Sequence, residues 1–124
     1  MLGGLKLVAH TFILSHPPRA LPGARTLYHL ALGALEQGCE VSVFCRQDGV
    51  YQPLREQQPT EGAQGSASSW WAALLARGVQ VIAHENCARA RGLVSKAQFL
   101  DGVRFGGAME LSDLLSRSDR VISL

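Results

Sequence analysis

"ARTLYHLALGALEQGCEVSVFC", residues 24–45, decides how this chain is read. Leu27, Leu30, Ala31, Ala34 and Leu35 recur at helical spacing, and Gly38 falls where a helix ends at its C′ position. "EVSVFC" (40–45) then changes to a β-branched and aromatic run, the composition of a strand. A helix that feeds directly into a strand is half of a β–α–β unit. The other half lies upstream. "LKLVAHTFIL" (5–14) is aliphatic without clean alternation, which is how a strand buried on both faces looks. "SHPPRALPGA" joins them, and its prolines and glycine make it a loop.

The same alternation continues downstream. Residues 52–69, "QPLREQQPTEGAQGSASS", read as a long polar loop, with Ser68 or Ser69 capping a helix "WWAALLARG" that stops at Gly78. Of Trp70 and Trp71, one is expected in the core and the other over a surface. "VQVIA" (79–83) is a third strand, "NCARARG" a short helix and "VRF" (103–105) a brief fourth strand. "GAMELSDLLSRS" (107–118) is a helix with Met109, Leu111, Leu114 and Leu115 as its apolar face, and residues 119–124 form the last strand. Alternating strands and helices predict an α/β fold: a five-stranded, mainly parallel sheet with helices on both faces, a flavodoxin- or Rossmann-like three-layer arrangement. In such sheets ligands sit outside the carboxyl ends of the strands. The loops that matter are therefore "SHPPRALPG", "RQDGVYQP" and "HENC".

The chain has 124 residues and is 47% hydrophobic, enough for one domain, residues 1–124, with a core of its own. A net charge of +2 is too small to argue for nucleic acid or an anionic membrane. The cations, Arg19 and Arg25 among them, are read as solvated. No run is long enough to cross a bilayer, and the apolar start, interrupted by His10 and Thr11, reads as a strand and not as a signal peptide. Three cysteines, Cys39, Cys45 and Cys87, show neither C-x-x-C nor zinc spacing, which fits a reduced, cytoplasmic protein.

Few chemistries survive inspection. There is no G-x-G-x-x-G, no Walker pattern and no G-x-S-x-G elbow, and the Gly-Gly of "FGGAMEL" is a weak phosphate signal. His84 and Glu85 are neighbours at a strand end and point apart, a poor start for a metal site. No cofactor or metal is expected. Cys87 has the best case. It sits in the first turn of a helix that follows a strand, where unpaired backbone N–H groups favour a negative charge, and Arg89 and Arg91 follow it. The competing reading is a small buried hydrophobe. Cys39 follows a helix-ending glycine and reads as structural. Cys45 reads as core, with a minor candidacy because its strand ends near the same loops.

These residues resemble a family. "LEQGCEVSVFCRQDGVY" is similar to the segment of DsrE/DsrF-like sulfur-relay proteins, especially the TusD/DsrE branch, that runs from a helix through a strand to x-D/E-G-V-Y. "ARARGL" resembles that family's A-x-R-R-G-[IV]. "VRFGGAMELSDLLSRSDRVISL" resembles its C-terminal stretch, with Gly107, Asp113 and Asp119-Arg120-Val121 at the matching places, and Trp70 matches the tryptophan before the third strand. The resemblance implies a trimer or hexamer, of this chain alone or with related subunits. It also implies a persulfide carried on one cysteine, accepted from a donor protein and passed to an acceptor in tRNA 2-thiolation or sulfur oxidation. One departure stands out. Counted back from Gly92, the family's persulfide cysteine falls on His84, and Cys87 lies about one helical turn further on. Either Cys87 takes over the role, with His84 as its base, which makes the chain a sulfurtransferase or sulfur carrier. Or the chain is a cysteine-inactive scaffold or binding subunit. Or a local gap in the alignment puts Cys87 at the family position.

Overall fold

A computed structural model describes residues 7–18, 24–56 and 67–124. Five strands, β1 (Ala9–Leu14), β2 (Glu40–Cys45), β3 (Gln80–His84), β4 (Arg104–Gly106) and β5 (Arg120–Ser123), form one sheet in the order β4-β3-β2-β1-β5. Every neighbouring pair is parallel. Around it lie α1 (Ala24–Glu36), α2 (Ala67–Ala76), α3 (Glu85–Ala90) and α4 (Ala108–Arg117). The order of the strands decides which face each helix takes. From β1 to β4 the chain steps one way across the sheet, so right-handed crossovers put α1 and α2 on one face. It then returns from β4 to the far side of β1, and α4 falls on the other.

The two faces are packed unequally. On the first, Leu27, Ala31 and Ala34 of α1 and Trp71 and Leu74 of α2 meet Phe12, Leu14, Val43, Cys45, Val81 and Ala83 of the strands. On the second, Leu114 of α4 covers Phe44 and Ile82, with Leu111 beside it. Among the described residues one helix covers that face, so only a narrow stripe is needed. Met109 and Leu115, expected in the apolar face, are 84% and 40% exposed. Leu30 of α1 is likewise 46% exposed, at the margin of the buried stripe. Trp71 is buried and Trp70 half-buried.

Several boundaries differ from the expectation. The first strand begins at Ala9; residues 1–6 lie outside the described residues. α2 begins at Ala67, so Ser68 and Ser69 lie inside it and cannot be its cap. The stretch read as a loop from 52 to 69 is pinned at its start. Gln52 is fully buried, Leu54 bridges Phe99, and Arg55 takes backbone and side-chain bonds to Gln98 and Asp101. Residues 57–66, its middle, and Arg19 lie outside the described residues. The turn "RQDGVY" is a 3₁₀ helix over Gln47–Tyr51, and a second, Lys96–Gln98, leads toward β4.

Candidate functional site

His84 ends β3 and is the N-cap of α3; Cys87 is the third residue of that helix. Positions three apart across a helix start face one another, as they do in a capping box. His84 Nδ1 accordingly lies 2.9 Å from Cys87 Sγ. Whichever tautomer holds, the contact has a proton in it: a thiol donates to a bare Nδ1, or an Nδ1–H donates to a thiolate. The imidazole is backed by Phe44, with ring centroids 5.8 Å apart. The Cys87 side chain is half-buried and packs partly against the main core. Among the candidate residues, the structure brings these two together.

It separates the others. Cys45 is fully buried, and burial pushes its thiol well above the usual range, which keeps it protonated. Cys39 is half-buried, next to the end of α1. Glu85 pairs with Arg89 at 3.1 Å on the exposed side of α3, so Arg89 does not serve Cys87. Arg25 is exposed.

Arg91 does serve it, through the backbone. Its Nη1 donates to the Cys87 carbonyl at 3.0 Å and its Nε to Asp48 Oδ1 at 2.9 Å. The Asp48 hydrogen bond raises the guanidinium above its ordinary value. Asp48 in turn sits on a firmly seated loop. A Cβ on Gly49 would lie 2.0 Å from the Leu14 carbonyl oxygen, so only glycine fits there. Arg46 donates its backbone N–H to the same oxygen and its Nε to Ser15 Oγ. Val50 is buried, and Gln52 spans two elements: its Nε2 donates to the His16 carbonyl and its Oε1 accepts from Trp71 Nε1. The loops after β1, β2 and β3 thus form one connected rim. Asp48 and Gln52 were not singled out in the sequence. Asp48 had a signal, the D-G-V-Y segment; Gln52 had none, since one buried glutamine looks like its polar neighbours.

A cleft of about 480 Å³ lies away from this rim, beside the amino end of β4 between Arg55, Lys96 and Arg104. The Gly-Gly phosphate signal is also answered. Glu110 Oε2 accepts the Gly107 backbone N–H at 2.7 Å, so a carboxylate of the chain itself occupies the start of α4. Among the described residues no group of three metal-ligating side chains converges, and no helix is long and apolar enough to cross a membrane.

Residues 9–124 match the DsrE/DsrF-like family. The chain belongs to that family. It is 32% identical over 112 residues to the uncharacterised protein MK0008 of Methanopyrus kandleri, covering 90% of each chain. To the uncharacterised protein MJ0989 of Methanocaldococcus jannaschii it is 29% identical over 113 residues, covering 91% of this chain and 96% of that one. Two solved structures share the fold. E. coli YchN superposes with a TM-score of 0.84 at 23% identity, over 95% of this chain and all of that one. MTH1491 of Methanobacterium thermoautotrophicum, a protein of unknown function, gives 0.75 at 16%, over 96% and 100%.

Within the DsrE/DsrF-like frame, the segments that carried the resemblance acquire physical reasons. D-G-V-Y supplies the acid for Arg91, the glycine against Leu14, a core valine and a half-buried tyrosine. R-G closes α3. Gly92, at φ 79°, takes the left-handed conformation of a Schellman end, with its N–H on Arg89 and that of Leu93 on Ala88. Asp119 opens β5 by exchanging bonds with Ala9 through both backbone and carboxylate.

Proposed function

We infer that the chain is a cytoplasmic sulfur-relay protein, a single DsrE-like domain that carries sulfane sulfur as a persulfide on Cys87. The observation that supports this reading most is the 2.9 Å contact between the sulfur of the partly buried Cys87 and His84 Nδ1, at the carboxyl edge of a DsrE-type sheet. His84 takes the thiol proton. The thiolate attacks the outer sulfur of a donor persulfide, R–S–SH; the donor S–S bond breaks, R–S⁻ leaves and accepts a proton, and Cys87–S–SH remains. An acceptor thiolate then attacks the outer sulfur, and Cys87 departs as the thiolate. Neither step changes the overall oxidation level, so no cofactor is required. A partly exposed thiol at the sheet edge suits this chemistry, because the reacting atoms arrive on another protein. The acceptor feeds tRNA 2-thiolation or sulfur oxidation. The working assembly is a homotrimer or hexamer, or a hetero-oligomer with related subunits, which would bury exposed apolar side chains such as Met109, Leu115 and Val121.

A second reading has its own support. The position where the family's persulfide cysteine falls carries His84, which favours a cysteine-inactive scaffold subunit of a DsrE-type oligomer. Mass spectrometry after incubation with a persulfide donor separates the two. The carrier gains one sulfur; Cys87→Ser gains none, and Cys39→Ser and Cys45→Ser load normally. His84→Ala slows loading about tenfold or more at neutral pH, as loss of a general base does, and matters less at high pH, where the thiolate forms unaided. If Cys87→Ser still takes up sulfur, Cys87 is not the carrier; if the native chain takes up none, the scaffold reading replaces the carrier.

A further inference from the structure

α1, α2 and α3 all end in the same Schellman bond pattern, at Gly38, Gly78 and Gly92, yet they treat one carbonyl differently. At the end of α1, the N–H of Gln37 is shared between the carbonyls of Gly33 and Ala34; at the end of α2, that of Arg77 is shared between Ala73 and Leu74. In each, the carbonyl four residues back keeps a backbone donor. At the end of α3 the N–H of Arg91 bonds Ala88 at 3.0 Å, and its approach to the carbonyl four residues back does not reach the same bond geometry, so the last turn tightens there. That carbonyl belongs to Cys87. The donor that reaches it in good geometry is the Arg91 side chain, through Nη1 at 3.0 Å, while Nε of the same guanidinium holds Asp48.

We propose that Arg91 is a positioning residue for the sulfur chemistry: its guanidinium clasps the Cys87 carbonyl to Asp48 on the loop after β2, and so holds the Cys87 thiol against His84. The inference rests on the reading of Cys87 as the sulfur carrier. The reason is mechanical. α3 has only six residues, too short to keep its own geometry. A planar guanidinium holds its donors at fixed angles to one another, and here Nε and Nη1 point to different acceptors, Asp48 and the Cys87 carbonyl. The side chain is only 26% exposed, so the clasp is partly screened from water. Its anchor does not yield, because Asp48 precedes the glycine pressed on Leu14 and follows Gln47, whose φ of 52° is held in the left-handed region. Position therefore passes from the end of β1, through the loop after β2, to the thiol at the end of β3.

A double-mutant cycle on persulfide loading and iodoacetamide labelling of Cys87 in the full chain tests this. Arg91→Gln is expected to slow both at neutral pH about tenfold, and Arg91→Lys to recover only part of the rate, because an ammonium cannot reach both acceptors in the same geometry. Asp48→Asn, which weakens the clasp from the other loop, slows both by a few fold. Adding His84→Ala to Arg91→Gln costs under about twofold more, since the thiol and imidazole no longer meet. If the two substitutions act independently, each with its full effect at every pH, Arg91 only supports the fold and the inference fails while the carrier reading stands. If the native Cys87 neither loads nor labels faster than in a denatured control, the carrier reading fails and takes the inference with it.

Discussion

Two helices start at the carboxyl edge of this sheet, each with its third residue turned back to its N-cap, and with different chemistry. α4 follows β4, and its third residue, Glu110, folds back onto the N–H of the N-cap, Gly107. α3 follows β3, and its third residue, Cys87, folds back onto the side chain of the N-cap, His84. In the first, a carboxylate satisfies a backbone donor, and the junction is finished as structure. In the second the N-cap makes no side-chain bond to the helix backbone, and the pair that meets can exchange a proton. A helix start is a position, and the residues at N-cap and N3 decide whether it stabilises the fold or is left able to react.

The largest expected effect concerns whether the α3 junction is open to reagents at all. Cys45 ends the neighbouring strand, yet it faces the main core and is sealed there, whereas Cys87 is only partly buried. Iodoacetamide should therefore label Cys87 in the native chain at least about a thousandfold faster than Cys45, which must wait for a large opening of the fold. In denaturant the two rates should converge. Peptide mass spectrometry over a time course reads both; native rates within tenfold of each other would erase the distinction between the two strand ends.

The next effect strikes the frame that holds α3 and leaves α4 alone. Gly49→Ala drives a Cβ to within 2.0 Å of the Leu14 carbonyl oxygen, so the loop after β2 or the end of β1 must shift. The expected loss is about 3 kcal/mol of stability, the range of overpacked sites, and the shift carries Asp48 away from Arg91. Denaturant midpoints measure the first part, and slowed Cys87 labelling under native conditions measures the second. An alanine variant as stable as the parent would mean that this rim is soft, and that the α3 junction owes nothing to it.

Most of the fold is legible in the sequence, for local reasons. Hydrophobic period, helix-ending glycines and β-branched runs are short-range signals, and they yield all five strands and their alternation with helices. Two things resist. Solvation of part of an apolar face, as at Met109 and Leu30, depends on how many helices share a sheet face, which is a property of strand order. The polar start of residues 52–69 hides Gln52, whose burial is offset by partners on two other elements, one of them nineteen residues away. The site divides the same way. His84 and Cys87 are three residues apart, so their meeting follows from helix geometry. Asp48 and Arg91 are 43 residues apart, and only the parallel register of β2 and β3 brings them together.

The smallest effect belongs to the finished junction. The Gly107 N–H, donated to the Glu110 carboxylate, holds that group below its ordinary value of 4.5; Glu110's own N–H and then Arg104 add to the effect. A carboxylate with a lowered folded value binds protons less readily in the native chain than in the unfolded one. Its contribution is therefore complete above about pH 4.5 and fades as the pH falls through the lower folded value. Glu110→Gln keeps an oxygen for the Gly107 N–H but cannot titrate. The native chain should be slightly more stable than the variant at pH 6, and the gap between their denaturant midpoints should close on acidification below pH 4.5. Cys87 labelling should be untouched, because the Glu110 carboxylate bonds the start of its own helix, and the β3–β4 backbone pairing of His84 with Gly106 does not depend on its charge. A gap that stays constant down to pH 3 would show that the carboxylate is doing no more than an amide can. A change in Cys87 labelling would show instead that the two junctions are coupled, and that the division between a structural and a reactive helix start is drawn in the wrong place.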